Sequence, residues 1–228
     1  MENTISAEEK IKQKLISTIT QSSLDEFQEK INNLKTLMTY YKCAMMEIET
    51  KFKVLNEEYS LENDRTPINS IKTRLKSIPS IQEKLTRLGY DESALERIED
   101  CIYDIAGVRV VCSFIEDVYS LADTLLKQDD IFLIAKKDYI RNPKQNGYRS
   151  LHLIVAIPIF LAHEKRMMKV EVQLRTIAMD FWASLEHQIR YKKDLIFTEK
   201  MASELYECAE MSALLDSKMN TLRIDILK

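Results

Sequence analysis

Apolar residues recur every three or four positions over the first quarter of the chain, which is the spacing of one face of an α-helix. The clearest run extends from residue 24 to residue 59 and contains neither proline nor glycine. We therefore expect one long helix there, preceded by a shorter helical pattern over residues 1–22. A second amphipathic pattern, from about residue 198 to residue 226, predicts a long C-terminal helix.

Between these helices the pattern changes to short segments that are apolar throughout or at every second position, as in β-strands. The predicted strands are 68–77, 104–114, 131–137, 148–159 and 168–176. Shorter helical patterns cover 80–89, 92–100, 116–127 and 177–191. We therefore predict an α+β fold in which helices flank a mixed, mostly antiparallel sheet of about five strands.

The same pattern predicts the organisation of the chain. We expect a single domain over residues 1–228, because a chain of this length can bury one sizeable core. It would comprise an N-terminal helical segment (1–60), an α/β core (61–192) and a C-terminal helix (193–228) that serves oligomerisation.

Polar side chains follow one face of each of the last two predicted strands. By period-two alternation these are Tyr148, Ser150 and His152 on the first strand and Lys169, Glu171, Gln173 and Arg175 on the second. A carboxylate in an otherwise apolar strand is costly unless something uses it. If the strands are neighbours, one sheet face presents an aromatic ring, a histidine, a carboxylate and an amide.

Composition narrows the kind of site. The 33 basic and 36 acidic residues give a net charge of −3, so phosphate binding would depend on local clustering of cations. The three glycines, Gly89, Gly107 and Gly147, are too far apart for a P-loop or a dinucleotide-binding fingerprint. Side chains on strands and helices would have to hold the phosphates.

Other features bear on location. The chain has no run of about 18 apolar residues, and its first 14 residues are too polar for a signal peptide. Its four cysteines are scattered without a CxxC pair, which indicates reduced thiols in a cytoplasmic protein. We expect no membrane association.

Five cations and two carboxylates are candidates for chemistry. The cations are Arg74, Lys76, Lys84, Arg87 and Arg109. Each alone is most simply a solvated charge, but together they form a cradle for a polyphosphate. Asp104 and Glu171 could pair with arginines, such as Asp104 with Arg109, or share a Mg²⁺ ion. Tyr148 could stack on a base. These residues favour magnesium-dependent handling of a nucleotide polyphosphate.

Several segments of the chain, in order, resemble the synthetase domain of the RelA/SpoT-homologue family, and in particular its stand-alone small alarmone synthetases. These segments are TRLKSIPSIQEKLTR, DIAGVRVVCSF, DYIRNPKQNGYRSLHL and VEVQLRTIAMDFWASLEH. The resemblance implies a nucleotidyltransferase-like synthetase fold. It also implies transfer of the β,γ-pyrophosphoryl group of ATP to the 3′-hydroxyl of GTP or GDP, with pppGpp or ppGpp and AMP as products.

The resemblance also implies roles for individual residues. Arg74 and Arg109 would sandwich the adenine, and Lys76, Ser80, Lys84 and Arg87 would contact the ATP phosphates. Asp104 and Glu171 would hold Mg²⁺, with Glu171 also accepting the proton of the attacking hydroxyl. Tyr148 would stack on guanine, and Lys144, His152, Gln173 and Asp180 would surround the acceptor. Thr73 stands where the family often has glycine, which removes no chemical group.

Two other functions remain open on the sequence. One is pyrophosphorylation of an RNA 3′-end, which would favour a basic surface that this net-acidic chain lacks. The other is a non-catalytic nucleotide- or RNA-binding regulator, which would not need both carboxylates. The adjacent His-Asp pair of the family's hydrolase domain is absent, so we expect synthesis only. The resemblance further implies a homotetramer, with single-stranded RNA as an additional candidate partner.

Overall fold

The computed structural model describes residues 7–63, 65–190 and 197–226. The helices are α1 (Ala7–Asn63), α2 (Ile78–Arg87), α3 (Ile98–Cys101), α4 (Ile115–Leu126), α5 (Ile177–Arg190) and α6 (Glu199–Ile226), with a short 3₁₀ helix (Glu92–Arg97) before α3. The strands are β1 (Ile68–Leu75), β2 (Ala106–Cys112), β3 (Phe132–Asp138), β4 (Leu151–Phe160) and β5 (Lys165–Thr176).

Helix α1 joins two helices that the sequence predicted separately. The predicted pattern over residues 1–22 begins outside the described residues, and residues 7–22 form the start of α1. The chain between the two predicted helices is polar but lacks proline and glycine, so nothing in it ends the helix. The predicted helix over 92–100 is instead divided, into the 3₁₀ helix and α3.

The chain divides into two compact units, Met1–Tyr40 and Tyr41–Lys228. In the second unit, the part of α1 after residue 40 buries Tyr41, Ala44, Ile48 and Phe52 at helical spacing. This unit therefore contains residues of the predicted N-terminal segment as well as the predicted core and C-terminal helix.

The five strands form one sheet in the order β1-β2-β5-β4-β3. Strands β2 and β5 are parallel, and the other three neighbouring pairs are antiparallel. The predicted α+β class and the mixed, mostly antiparallel sheet are confirmed. Alternate residues of the central strands, including Val108, Val110, Val172 and Leu174, are buried. Their neighbours along each strand form the opposite face, which carries the candidate site.

Helix α2 begins two residues before the predicted start and is ended by Gly89, as the sequence predicts. The Ser77 hydroxyl caps its first turn by accepting from the amide of Ser80 at 3.4 Å. Gly89 follows the helix with a φ of +82°, a conformation that favours glycine. These two ends fix where Ser80, Lys84 and Arg87 lie along the helix.

Two further features concern possible membrane spans and the cysteines. Within the described parts of the chain, no helix combines the length and apolar character needed to span a membrane. All four cysteines are free thiols, as their scattered positions predict.

Candidate active site

The polar face of β4 and β5 brings together the histidine, carboxylate and amide predicted from alternation, whereas Tyr148, predicted on the same strand, lies before β4 and reaches them from the turn. His152 and Gln173 are opposite each other in the antiparallel pair. Both contact Glu171: His152 Nδ1 lies 3.1 Å from Oε1, and Gln173 Nε2 donates to Oε2 at 2.8 Å. The hydroxyl of Tyr148 lies 2.8 Å from His152 Nε2. The sheet therefore holds Glu171 within a hydrogen-bonded chain.

Glu171 is half-buried yet held in its charged form. Burial alone raises the pKa of this carboxyl, but the hydrogen bonds from His152 and Gln173 outweigh burial and bring the pKa below its ordinary value of 4.5. At neutral pH Glu171 is therefore a carboxylate whose two oxygens already accept hydrogen bonds.

Asp104, just before β2, is the second charged carboxylate of the site. Its Oδ2 lies 3.0 Å from Lys76 Nζ and 2.6 Å from Lys84 Nζ. Burial raises the pKa of Asp104, but the two lysines outweigh burial, so this pKa also falls below its ordinary value. The other oxygen, Oδ1, is buried and has no hydrogen-bond partner among the described residues.

The predicted pairing of Asp104 with Arg109 is wrong. The backbone amide of Lys76 donates to the carbonyl of Ile105, so the end of β1 lies beside Asp104 and brings Lys76 to it. Arg109 lies farther along β2, where its Nη1 is 3.3 Å from Oδ1 of Asp180 on α5. Burial and the nearby Arg175 lower the pKa of Arg109.

A cleft of about 250 Å³ opens between the two carboxylates and the cations of β1 and β2. Its lining residues include Lys72, Arg74, Lys76, Asp104, Arg109, Glu171 and Gln173. Lys84 reaches this cleft through its ion pair with Asp104. Ser80 and Arg87 lie on α2 outside the lining, and Arg87 is exposed. Four of the six predicted ATP contacts are thus gathered at the cleft or beside it.

The turn before β4 forms an aromatic wall beside this cleft. Gly147 has a φ of +83°, as the predicted Asn-Gly turn requires. Lys144 Nζ lies 4.7 Å from the ring centroids of both Tyr139 and Tyr148. The ring of Tyr139 also meets His152 edge-on, at 5.3 Å between centroids. Burial lowers the pKa of Lys144, although nearby Glu171 opposes the shift.

Sequence reasoning missed Tyr139, Lys72 and Arg175 as site residues. Tyr139 precedes an irregular turn, where periodicity gives no signal. Lys72 Nζ lies 3.4 Å from Asp180 Oδ2, and Arg175 Nη1 lies 3.3 Å from Asp180 Oδ1. The signal that could have identified two of them is period-two alternation. It places Lys72 on the same strand face as Arg74, and it places Arg175 on the same strand face as Glu171.

Comparison with known proteins identifies the group to which this architecture belongs. A family model described as "Region found in RelA / SpoT proteins" matches residues 73–195. The chain is 41% identical to GTP pyrophosphokinase YwaC of Bacillus subtilis over 203 residues, which cover 89% of this chain and 96% of that protein.

Solved structures give the same result. The crystal structure of small alarmone synthetase 2 from Bacillus subtilis has a TM-score of 0.75 at 43% identity, over 84% of this chain and 98% of that one. Small alarmone synthetase 1 from the same organism, bound to its product pppGpp, has a TM-score of 0.75 at 34% identity, over 82% of this chain and 95% of that one. The protein described here belongs to the RelA/SpoT family.

Proposed function

We propose that this protein is a GTP pyrophosphokinase that transfers the β,γ-pyrophosphoryl group of ATP to the 3′-hydroxyl of GTP or GDP. The products are pppGpp or ppGpp and AMP, and we propose no hydrolase activity. The observation that carries this proposal is that two charged carboxylates, Asp104 and Glu171, line a cleft rich in cations, and that Glu171 is linked through His152 to Tyr148 of the aromatic wall. Similarity to a GTP pyrophosphokinase and to a synthetase that binds pppGpp supports it.

The cation-lined cleft suits the donor nucleotide. Arg74 and Arg109 lie on neighbouring strands and line the same cleft, so we assign them to the adenine. Lys76 and Lys84 converge on Asp104, where they can neutralise phosphate charge, and we assign them to the ATP phosphates. Ser80 and Arg87 lie before and after Lys84 on α2 and are assigned to the same phosphates, which requires the triphosphate to extend along that helix.

Asp104 and Glu171 fit a shared Mg²⁺ ion. The buried Oδ1 of Asp104 has no partner among the described residues, which suits an oxygen that receives a cation. Both carboxyls stay charged at neutral pH because their pKa values are lowered. Mg²⁺ commonly binds one or two carboxylates together with substrate phosphate oxygens. When bound, it would neutralise charge on the transferred phosphoryl groups.

The aromatic wall suits the acceptor nucleotide. Tyr148 offers a ring for stacking on guanine, and we assign Lys144, His152 and Gln173 to contacts around the same nucleotide. Asp180 already accepts from Lys72, Arg109 and Arg175, so it links the donor and acceptor sides. We assign Asp180 to the N1–H and N2–H₂ donors of guanine, which adenine lacks in that arrangement.

In the reaction, the acceptor 3′-oxygen bonds to the β-phosphorus, and the bond from that phosphorus to the α,β-bridging oxygen breaks. The electron pair leaves on AMP, and the hydroxyl proton passes to Glu171 and then to solvent. Because hydrogen bonds lower the pKa of Glu171, it is a weak base that is fully charged at neutral pH. Its main contribution is therefore positioning and electrostatic, as in other phosphoryl transfers.

An assembly of copies of this chain is also part of the proposal. Apolar side chains four residues apart are exposed on α5 (Ile177, Phe181, Leu185, Ile189), and α6 exposes a similar stripe (Met211, Leu215, Met219, Leu222). Stripes of this kind mark interaction surfaces. We assign them to a homotetramer in the cytoplasm, where its nucleotide substrates are available. Single-stranded RNA is a further candidate partner, which salt-dependent binding would reveal.

The test is to incubate the protein with ATP, Mg²⁺ and one acceptor at a time, then separate the products by anion exchange. The acceptors are GTP, GDP and an RNA with a free 3′-end. The proposal predicts equal amounts of AMP and alarmone with GTP or GDP, and none with RNA. AMP with RNA alone would support an RNA-modifying enzyme, and bound ATP without turnover would support a regulator.

A further inference from the structure

Arg175 is a buried arginine next to the end of β5 to which the roles above assign no function. It is only 4% exposed. A guanidinium removed from water is costly unless its donors are satisfied, so a site that retains one uses its charge or its geometry.

The guanidinium of Arg175 connects three residues of the proposed acceptor site. Its Nη2 donates to Tyr148 Oη at 2.5 Å and to Gln173 Oε1 at 3.0 Å, and its Nη1 donates to Asp180 Oδ1 at 3.3 Å. Its Nε donates to Ser150 Oγ at 3.4 Å. Its Cζ also lies 5.0 Å from the ring centroid of Tyr148. Arg175 is thus the common neighbour of these side chains.

These donors fix the direction of the hydrogen bonds that lead to Glu171. An arginine only donates, so the hydroxyl of Tyr148 accepts from Arg175 and its own proton is available for donation to Nε2 of His152. In the tautomer in which Nε2 accepts that proton, Nδ1 carries the imidazole proton and donates it to Glu171 Oε1. One arginine therefore orients a chain of three hydrogen bonds.

The ring of Tyr148 is also fixed from its other end. It packs against the cluster of Trp182, Ala183 and Ala209. A tyrosine that follows an irregular turn has no strand to orient it, so its ring depends on this packing and on the bonds to its hydroxyl.

We propose that Arg175 is a positioning residue for acceptor binding: through the Tyr148 hydroxyl it holds the ring in the orientation that stacks on guanine. This inference rests on the proposed function. A lysine cannot replace the arginine, because one ammonium lacks the planar fork that reaches Tyr148, Gln173 and Asp180 together.

The test compares steady-state kinetics of Arg175→Lys, Tyr148→Phe and the double variant, with ATP and GTP varied in turn. Tyr148→Phe keeps the ring and removes the hydroxyl through which Arg175 acts. Arg223→Lys is the matched control, because Arg223 also pairs with a carboxylate, Glu116, and lies over an aromatic ring, Phe114, outside the site. Thermal unfolding of each variant measures the loss of stability separately.

The expected result is a roughly tenfold or larger rise in KM for GTP in Arg175→Lys with less than about a twofold change in KM for ATP. Tyr148→Phe should raise KM for GTP about three- to tenfold. Arg175→Lys should raise KM for GTP much less in the Tyr148→Phe background than in the wild type. Arg223→Lys should leave both KM values unchanged. A rise in KM for GTP without a rise in KM for ATP distinguishes a positioning role from a general loss of stability.

Equal changes in both KM values, or effects that multiply independently in the double variant, would overturn the inference. If Arg175→Lys does not fold, Tyr148→Phe alone tests the inference. An unchanged KM for GTP in Tyr148→Phe would show that the hydroxyl is not needed and would overturn the inference. A wild-type protein that makes no alarmone would contradict the proposed function itself, and this inference with it.

Discussion

At the scale of residues, Asp104 and Glu171 remain charged inside the sheet by different means. Two lysines pair with Asp104, whereas His152 and Gln173 make hydrogen bonds to Glu171. We therefore predict that either carboxylate is indispensable for transfer but not for folding.

Replacing either carboxylate by its amide tests that prediction. We expect Glu171→Gln and Asp104→Asn to lower kcat by about 100-fold or more, since each removes a negative charge that acts in the transition state. Glu99→Gln is a suitable control, because Glu99 is also half-buried and ion-paired, to Arg166. Rapid-quench assays of AMP formation measure the effect, and circular dichroism checks the fold. Normal turnover by either variant would remove that residue from the mechanism.

Tyr148 makes a separate prediction about the two substrates. Tyr148→Ala removes the stacking ring, worth about 1–3 kcal/mol per base, so KM for GTP or GDP should rise about 5- to 150-fold. KM for ATP should change far less, because ATP is assigned to the cleft of β1 and β2. Varying each substrate at saturating concentrations of the other measures both constants. An equal rise in both would exclude stacking on the acceptor.

Some side-chain contacts of the site could be predicted from the sequence, and others could not. Period-two alternation was sufficient to place His152, Glu171 and Gln173 together, because a strand fixes the face of every second residue. Tyr148 lies before β4, so its place beside them depends on the turn and on side-chain contacts. Alternation could not pair Asp104 with its lysines, because that contact depends on how β1 ends beside β2. Nor could it reveal the buried contacts of Arg175, which join β5 to the turn and to α5.

At the scale of elements, α6 supports the turn that carries Tyr148. A Cβ at Gly147 would overlap the Cβ of Ala209 on α6. Arg149, after the turn, donates to Glu210 of α6 at 3.0 Å. The C-terminal helix therefore belongs to the structure of the acceptor side as well as to the proposed assembly surface.

Gly147→Ala tests the contact between α6 and the turn. Its positive φ alone costs an alanine about 1–2 kcal/mol, and the overlap with Ala209 should add about 1–3 kcal/mol. Gly89→Ala is the matched control, because Gly89 has nearly the same φ, +82°, and a Cβ added there would meet no atom within 4 Å. Urea unfolding should show a larger loss for Gly147→Ala. Equal losses would mean that α6 does not confine the turn.

The environment of Asp216 on α6 leads to a prediction about how the stability of the protein depends on pH. It accepts from the Thr176 hydroxyl at 2.6 Å, and that hydroxyl also accepts from the amide of Met179 in the first turn of α5. Burial raises the pKa of Asp216 above its ordinary 3.8, although the bond from Thr176 opposes the shift. The stability that its protonated form contributes is therefore present below about pH 3.8 and lost as pH rises through the folded-state pKa.

Asp216→Asn removes this titration while keeping an acceptor for Thr176. The free energy of unfolding of the variant relative to the wild type should therefore increase as pH rises from 4 toward 8. Urea unfolding at several pH values measures the difference, with the exposed Asp123→Asn of α4 as the control. A difference that falls with rising pH would contradict the assigned direction of the shift.

Helix and strand positions were the most predictable feature of the chain. All five strands and the long helices follow from hydrophobic spacing, and Gly89 and the Asn-Gly turn follow from their preferred conformations. The parallel pairing of β2 with β5 was not specified, because α4 and two further strands separate them along the chain. Only the three-dimensional structure gives that pairing.

At the scale of the whole molecule, the exposed stripes of α5 and α6 predict self-association. Leu215→Glu places a charge in the α6 stripe, where Leu215 is 59% exposed, and should lower the mass measured by light scattering. Leu88→Glu, at an exposed leucine just after α2, should not. A wild-type mass equal to one chain would contradict the proposed homotetramer. An unchanged mass in Leu215→Glu would exclude this part of α6 from the interface.

The central claim is that the β- and γ-phosphoryl groups of ATP move together onto the acceptor, and labelled ATP tests it most directly. The protein is supplied with Mg²⁺, GTP and ATP carrying ³²P at either the β or the α position. We expect the β label to appear in pppGpp and the α label to appear in an equal amount of AMP. ADP as the nucleotide product, or β label released as free pyrophosphate, would contradict it.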